Sequence, residues 1–525
     1  MAKLTYFFPG GKYPMDYTPP IGSYDYNPSF RDFVDLDTAT LVGTPSSTTI
    51  TFQLDNGLKL KIIGTGFAFD SDGATGGTIS RIDLLLNDGT TLVQRLESLN
   101  LSLVAFENAA ETYDPFKLEQ WLMNRSDTLV GSAGNDDMFG WGGNDTFSGG
   151  LGDDFMVGGQ GKDTYNGGAG NDYLSFRDAF DDPAAIQGIN LDAAAGTVTD
   201  PYGNAETFTS MESFGGTQFA DTIRGSSADE QFVGFGGRDY IDGRGGFDEI
   251  RFHRDAENGG SLGVTVNLAT GTAIDGFGKT DTLVSIEAVR STNFADKLTG
   301  NAGNNSFRAM AGNDYIDGGL GADTMIGGSG NDTYVVNESG DVVNEAAEGG
   351  SGIDTIRSMI SFSLVTGANV VGAVENLTLL GSGSTNATGN GLANTLIGNS
   401  GNNILNGSSG KDKLTGGLGN DSFFFNSTLS ATSNVDTITD FNVANDTIRL
   451  ENAVFTAIVG TGALTAAQFV NNTTGLAADS NDRIIYESDT GKLFYDSNGN
   501  AAGGSVHFAT IGTNLGITAA DFFVV

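Results

Sequence analysis

No cysteine occurs among the 525 residues, and there are only two histidines, His253 and His507. Without cysteine the chain suits either a reducing cytosol or an extracellular fold that needs no disulfide. Neither histidine stands in an H-E-x-x-H motif, which excludes that class of zinc protease, and no G-x-S-x-G elbow exists to support a serine lipase. Basic groups are scarce: Lys and Arg number 26 against 65 Asp and Glu, giving a formal net charge of -39. No Lys/Arg stripe is present to neutralise phosphates, so nucleic acid and anionic membrane surfaces are excluded as partners. Runs of about 18 apolar residues are also missing, so no transmembrane segment is expected, nor the long apolar helices of pore formers. Met1 to Gly11 carry one lysine before a short apolar stretch broken by Pro9 and Gly10, unlike a secretory leader.

Glycine, by contrast, is abundant at 78 residues, and the acidic residues are placed with regularity. From Ser126 an acid recurs every nine positions: Asp127, Asp136, Asp145, Asp154, Asp163 and Asp172. A second block has Asp221, Glu230, Asp239 and Asp248, a third Asp296, Asn305, Asp314, Asp323 and Asp332, and a fourth Asn394, Asn403, Asp412 and Asp421. Two residues after every one of these stands an apolar side chain, from Leu129 and Met138 to Leu414 and Phe423. At the chain's apolar content, chance would give such a run with a probability on the order of 10⁻⁸.

Three residues such as Thr164 to Asn166 suffice only for a short strand, whose middle side chain points inward by the period of two. The six before it turn the chain back, with glycines such as Gly158 and Gly161 allowing positive φ and close approach of neighbouring coils. Two nonapeptides then make one coil, so Asp136 stacks over Asp154 and Asp145 over Asp163. Stacked carboxylates ~4.8 Å apart repel by roughly 3–4 kcal/mol at an effective dielectric near 20. A hard divalent cation taking six to eight oxygens resolves that conflict, and its binding becomes folding free energy. The fifteen aspartates Asp127, Asp136, Asp145, Asp154, Asp163, Asp172, Asp221, Asp239, Asp248, Asp296, Asp314, Asp323, Asp332, Asp412 and Asp421 are the candidate metal ligands, with multiple Ca²⁺ as cofactor. Glu230, Asn305, Asn394 and Asn403 mark weaker or empty sites. A flexible Gly/Asn/Asp linker would not hold an apolar residue at fixed phase, and no phosphate-cradling G-x-x-x-x-G-K-[ST] motif occurs.

The unit Gly158-Gly159-Gln160-Gly161-Lys162-Asp163-Thr164-Tyr165-Asn166 resembles the G-G-x-G-x-D-x-U-x nonapeptide of the RTX (repeats-in-toxin) family, with its haemolysin-type calcium-binding repeats. The expected fold is all-β: a right-handed parallel β-roll or β-helix solenoid, with a small N-terminal antiparallel β domain and a C-terminal β secretion domain. The arrays are placed at 127–175, 221–250, 296–336 and 394–425. Connectors at 176–220 and 251–295 repeat one another at an offset of 75 residues, as in Gly188-Ile189 against Gly263-Val264 and Glu212 against Glu287. A third connector spans 337–393. All three are read as β-coil without a calcium turn, and 127 to about 425 as one solenoid.

Ahead of the arrays, residues 1–30 form an aromatic and Pro-rich arm with Tyr6, Phe7, Phe8, Tyr13, Tyr17, Tyr24 and Tyr26. Residues 31–110 form the β domain, where Thr49–Leu54 and Leu58–Ile62 face each other across the turn Asp55-Asn56-Gly57. Asp70-Ser71-Asp72-Gly73 resembles half of a calcium loop, without the bidentate glutamate, since position 79 is isoleucine. Residues 111–126 are read as a helix capping the first coil, with Asp114 as N-cap and Pro115 at its first position.

Residues 426–525 are similar to the closing domain of proteins exported by type I secretion systems in Gram-negative bacteria. The ending Ala520-Asp521-Phe522-Phe523-Val524-Val525 looks like that family's uncleaved C-terminal signal. The resemblance implies a type I exporter as partner and an extracellular or cell-surface location. A non-enzymatic surface-layer, matrix or adhesive role is expected, with surface polysaccharide or further copies of the chain as partners. An enzyme acting on extracellular polysaccharide stays open as the alternative. His253, after the second array, is read as an exposed loop residue.

Overall fold

The computed structural model describes residues 2–7, 34, 36, 38–71 and 73–525. Phe8, Tyr13, Tyr17, Tyr24 and Tyr26 of the aromatic arm lie outside the described residues. The chain divides into two compact units, Met1–Ser261 with Thr272–Ile286, and Leu262–Gly271 with Glu287–Val525.

The first unit opens with an antiparallel sheet: β1 (Lys3–Tyr6), β2 (Thr40–Leu41), β3 (Thr49–Gln53), β4 (Lys59–Asp70), β5 (Gly73–Leu85) and β6 (Leu92–Ser102). The β3–β4 hairpin turns at Gly57, whose φ of 85 suits only a residue without a side-chain penalty there. Asp70 pairs with Gly73 across the β4–β5 turn, so the stretch that resembles half of a calcium loop lies at a hairpin turn, and its Asp72 lies outside the described residues. Two helices follow, α1 (Leu103–Thr112) and α2 (Pro115–Met123). α1 occupies a segment assigned above to the β domain; Ser102 caps it and Leu103, Phe106 and Ala109 form its buried stripe. In α2 the Asp114 carboxylate accepts the Lys117 N–H at 2.9 Å, Pro115 fills the first turn, and Leu118, Leu122 and Met123 are buried.

β1 lies antiparallel to β6 on one side and parallel to the strand Thr128–Val130 on the other. That strand begins a wall of short parallel strands, Thr128–Val130, Thr146–Leu151, Thr164–Ala169 and Ala205–Thr209. The facing wall runs Asp137–Phe139, Phe155–Val157, Tyr173–Ser175, Ser213–Thr217, Gln231–Phe235 and Glu249–Arg251. Their middle residues meet inside, Phe147 stacking on Tyr165 with centroids 4.9 Å apart and Phe214 on Phe232 at 6.1 Å. Each such buried apolar side chain contributes about 1.5–3 kcal/mol. This is the parallel β-roll.

The first connector is not simple parallel coil. Asn190–Asp192, Thr197–Thr199 and Ala205–Thr209 form an antiparallel meander that rejoins the wall at Thr222–Arg224. Thr272–Ile274 repeats the pattern against Thr280–Val284. The second wall is also covered on its other face, where Phe139, Phe155, Val157, Tyr173, Val233 and Phe235 form a second core beneath Trp141, Phe180 and Phe277. The Arg177 and Arg254 guanidinium groups lie 4.7 Å from the Phe155 and Tyr173 rings.

In the second unit one wall runs in parallel from Thr265–Asn267 through Lys297–Thr299, Tyr315–Asp317, Thr333–Val336, Thr355–Ser358, Asn376–Leu379, Thr395–Ile397 and Lys413–Thr415 to Asp436–Ile438. The closing segment adds an antiparallel sheet of Ile484–Glu487, Lys492–Asp496 and Ser505–Thr510. The apolar tail is folded in: Phe522–Val524 pairs in parallel with Thr447–Leu450, and Phe522 and Val524 are buried.

Candidate metal centre

Most strands of the roll follow a tight turn that ends on an acid or an asparagine, and the strand pairing stacks these residues into ladders. Along these ladders a carboxylate oxygen of one rung accepts the backbone N–H of the rung before. Asp127 donates to Asp145 Oδ1 at 2.6 Å, Asp145 to Asp163 at 2.6 Å, Asp136 to Asp154 at 2.9 Å and Asp154 to Asp172 at 2.8 Å. The pattern continues from Asp221 to Asp239 at 2.9 Å and Glu230 to Asp248 at 2.8 Å. In the second unit it links Asp296 to Asp314, Asn305 to Asp323, Asp314 to Asp332, Asn394 to Asp412 and Asn403 to Asp421, all within 2.7–2.8 Å. The Ala2 N–H begins the first ladder, donating to Asp127 Oδ1 at 2.6 Å. All fifteen candidate aspartates are therefore buried rungs.

What happens to the second oxygen separates two kinds of turn. The Oδ2 atoms of Asp127, Asp145, Asp154, Asp172, Asp239, Asp314, Asp323, Asp332, Asp412 and Asp421 are buried and accept no hydrogen bond. Past the first of these, the residue four positions earlier always has a left-handed φ, whether it is Gly150, Gly168, Gly319, Gly328 and Gly417 or Trp141, Phe235, Met310 and Ser408. In the other kind of turn that residue is Ser, Thr or Asn with ordinary φ, and its N–H takes up the free oxygen. Ser132 donates to Asp136, Thr217 to Asp221 at 2.7 Å and Thr292 to Asp296 at 2.9 Å. Ser226 serves Glu230 at 2.8 Å, Asn301 serves Asn305 at 2.9 Å, and Asn390 and Asn399 serve Asn394 and Asn403 at 2.8 Å. Asp163 is intermediate, its Oδ2 receiving the Tyr165 hydroxyl at 3.4 Å.

A buried carboxylate oxygen without a partner costs far more than an ordinary hydrogen bond returns. Burial, followed by repulsion from neighbouring acids, pushes Asp145 and Asp154 up to about 9, Asp239 to about 10 and Asp314 to about 8. Rows of unsatisfied oxygens in tight, glycine-lined turns are the donor set that a hard cation requires. Adding a Cβ at Gly149 would place it 2.0 Å from Asp154 Oδ2, so the turns leave this space to the acid alone.

Several rungs escaped the nine-residue register. The Asp163 N–H donates to Glu206 Oε1 at 3.2 Å, Asp172 to Glu212 at 3.0 Å and Asp239 to Asp281 at 3.0 Å; Asp341, which accepts the Asp323 N–H at 3.2 Å, keeps the register one repeat past Asp332, beyond the bounds given to the third array. Asp332 donates to Asp354 at 2.8 Å, Asp354 to Glu375 at 2.9 Å, Asp412 to Asp436 at 3.1 Å and Asp421 to Asp446 at 3.0 Å. Most of these lie 21 to 43 residues from the rung before, because a connector with strands of its own or a longer turn intervenes. The connectors thus continue the ladder instead of interrupting it. A readable signal was present in each: an acid, one spacer and an apolar residue, as in Asp354-Thr355-Ile356 and Asp436-Thr437-Ile438.

His253, expected from the sequence to be an exposed loop residue, is half-buried. The His507 ring contacts the Ala509 carbonyl at 3.0 Å and Thr510 Oγ1 at 3.1 Å, with burial holding its pKa below the usual value.

Fold and donor set together define a calcium-binding β-roll. The RTX calcium-binding nonapeptide repeat matches residues 123–156, 143–174, 215–250, 293–334 and 388–423, so the chain carries RTX calcium-binding repeats at those residues. These repeats bind calcium, so multiple Ca²⁺ ions are its cofactor. No curated protein matches the chain. Among solved structures, the extracellular lipase LipA from Serratia marcescens is similar at 14% identity and a TM-score of 0.16. The likeness covers 76% of this chain, which spans 40% of that lipase's length. Among the described residues no helix is long and apolar enough to cross a membrane.

Proposed function

We propose that the protein is exported through a type I secretion system by way of its C-terminus, folds outside the cell on binding calcium, and serves a structural, surface-layer, matrix or adhesive role. The single observation carrying the folding reading is the row of buried Oδ2 atoms that no protein group satisfies. The open rungs, Asp145, Asp154, Asp172, Asp239, Asp314, Asp323, Asp332, Asp412 and Asp421, would hold the ions, with Asp127 at the N-terminal end. Closed rungs such as Asp136, Asp221 and Asp296 would instead stay metal-free.

Extracellular calcium sites have dissociation constants of ~10⁻⁴–10⁻³ M, so they fill outside a cell and stay empty within it. A chain of formal net charge -39 with empty ladders stays expanded, a state suited to threading through an exporter. Circular dichroism and hydrodynamic radius test this directly. Chelated protein is expected to be coil-like and expanded, and millimolar calcium to compact it where equal magnesium does not, because magnesium demands a tight octahedron and holds its waters. A compact β signal in chelator would refute the switch.

A further inference from the structure

We infer that Asp332, Glu345 and Asp354 form a three-carboxylate calcium site in the second unit, where Glu345, outside the repeat register, adds a ligand and makes this the tightest site of that unit. The inference rests on the ladder holding calcium, as proposed above.

Strand pairing sets Thr324 beside Val342 and Met325 beside Val343; counted two residues past that pairing, Glu345 is the counterpart in sequence of Gly327. A side chain at Gly327 would have no room: its Cβ would lie 2.0 Å from the Tyr334 hydroxyl and 2.2 Å from Asp332 Oδ2. Position 345 thus corresponds, one coil on, to a place whose side chain enters the space of the acid. The chain makes room for it by lengthening the turn. Residues 327–332 join Thr324–Ile326 to Thr333–Val336, whereas 345–354 join Val342–Asn344 to Thr355–Ser358. The rung-to-rung bond from the Asp332 N–H to Asp354 Oδ1 accordingly spans 22 residues at 2.8 Å.

The result brings one oxygen from each of the three carboxylates within 4.8 Å of the other two. Asp332, Glu345 and Asp354 are 1%, 5% and 2% exposed. Two oxygens in this small volume, Asp332 Oδ2 and Glu345 Oε2, have no hydrogen-bond partner. Glu345 is held from both ends, since its Oε1 accepts the Tyr334 hydroxyl and its backbone N–H donates to the Val371 carbonyl at 2.7 Å. Calcium affinity rises with the number of charged ligands, and a pre-ordered third carboxylate raises it without further loss of freedom on binding.

The test compares full-length wild-type protein with Glu345→Gln by calorimetric calcium titration, with dichroism at saturating calcium as a control for folding. This substitution keeps an acceptor for the Tyr334 hydroxyl while removing the charge and replacing one ligand oxygen with an amide nitrogen. The expected result is a tenfold or greater weakening of the tightest class of site, with the remaining sites unchanged. An identical titration for the two proteins would overturn the assignment. Wild-type crystals soaked in terbium, whose anomalous signal marks the calcium positions, give a second measurement that needs no variant. A peak at the Glu345 carboxylate supports the site, and peaks at Asp145 and Asp314 without one at Glu345 overturn it. No peak on any ladder would overturn the calcium ladder itself.

Discussion

Asp163 apart, the second oxygen of a carboxylate that ends a turn in these ladders meets one of two fates. It takes an N–H from four residues back, as that of Asp136 does from Ser132, or it is left buried for an ion, as in Asp154. The choice lies in the φ of that earlier residue. Gly150 stands before Asp154 with φ 109, a region other residues seldom enter. Asp136→Asn, which keeps an acceptor for Ser132, is expected to leave the calcium midpoint of folding within about twofold of wild type. Asp154→Asn removes charge from an open rung and is expected to raise that midpoint several-fold. Equal shifts for both, in a dichroism titration, would show that the two kinds of turn bind calcium alike. The nine-residue spacing made the rungs and their inward neighbours legible in the sequence. It did not separate open from closed turns, because Trp141, Phe235, Met310 and Ser408 adopt the left-handed conformation without being glycine. Nor did it reach Glu206 and Asp281, which follow connectors with strands of their own, or Asp354 and Asp436, which follow turns longer than the repeat allows.

At the scale of elements, the two walls of the first unit differ in what covers them. Outward positions of one wall are threonines, Thr128, Thr146 and Thr164, which face solvent or are half-buried. In the other they are Phe155 and Tyr173, buried beneath the first two connectors, which carry Phe180 and Phe277 respectively. Apolar residues on both sides of such short strands are the mark of a wall packed on two faces, and the connectors read as plain coil are in part its lid. Phe155→Ala is accordingly expected to destabilise the calcium-bound protein by about 3–5 kcal/mol, as much as truncating the inward Phe147. Denaturant unfolding at saturating calcium measures both. A loss below about 1 kcal/mol for Phe155→Ala would mean that the outer cluster is not a structural core.

For the whole molecule, protons and calcium compete for the same oxygens, and the direction of the effect follows from the shifted acids. Burial, joined in all but Asp127 by repulsion between rungs, raises Asp127, Asp323 and Asp421 to about 6, Asp412 to about 8 and Asp145 to about 9, from an ordinary value of 3.8. An acid raised on folding binds more protons in the native state, so its stabilising effect is complete below the unfolded value and is lost as pH rises through the folded one. In chelator the β-roll is therefore expected to gain structure on acidification from about pH 8.5 to about pH 5, the reverse of an acid-labile fold built on ion pairs. With calcium present the ions replace those protons. The calcium midpoint should rise as pH falls over the same range, and binding near pH 7 should release protons into weakly buffered solution. Dichroism in chelator across the pH range, together with proton release on calcium addition, measures both sides of the linkage. Loss of β structure on acidifying the chelated protein would show that the ladder carboxylates are ionised in the metal-free fold, and that something other than protons or calcium relieves their repulsion.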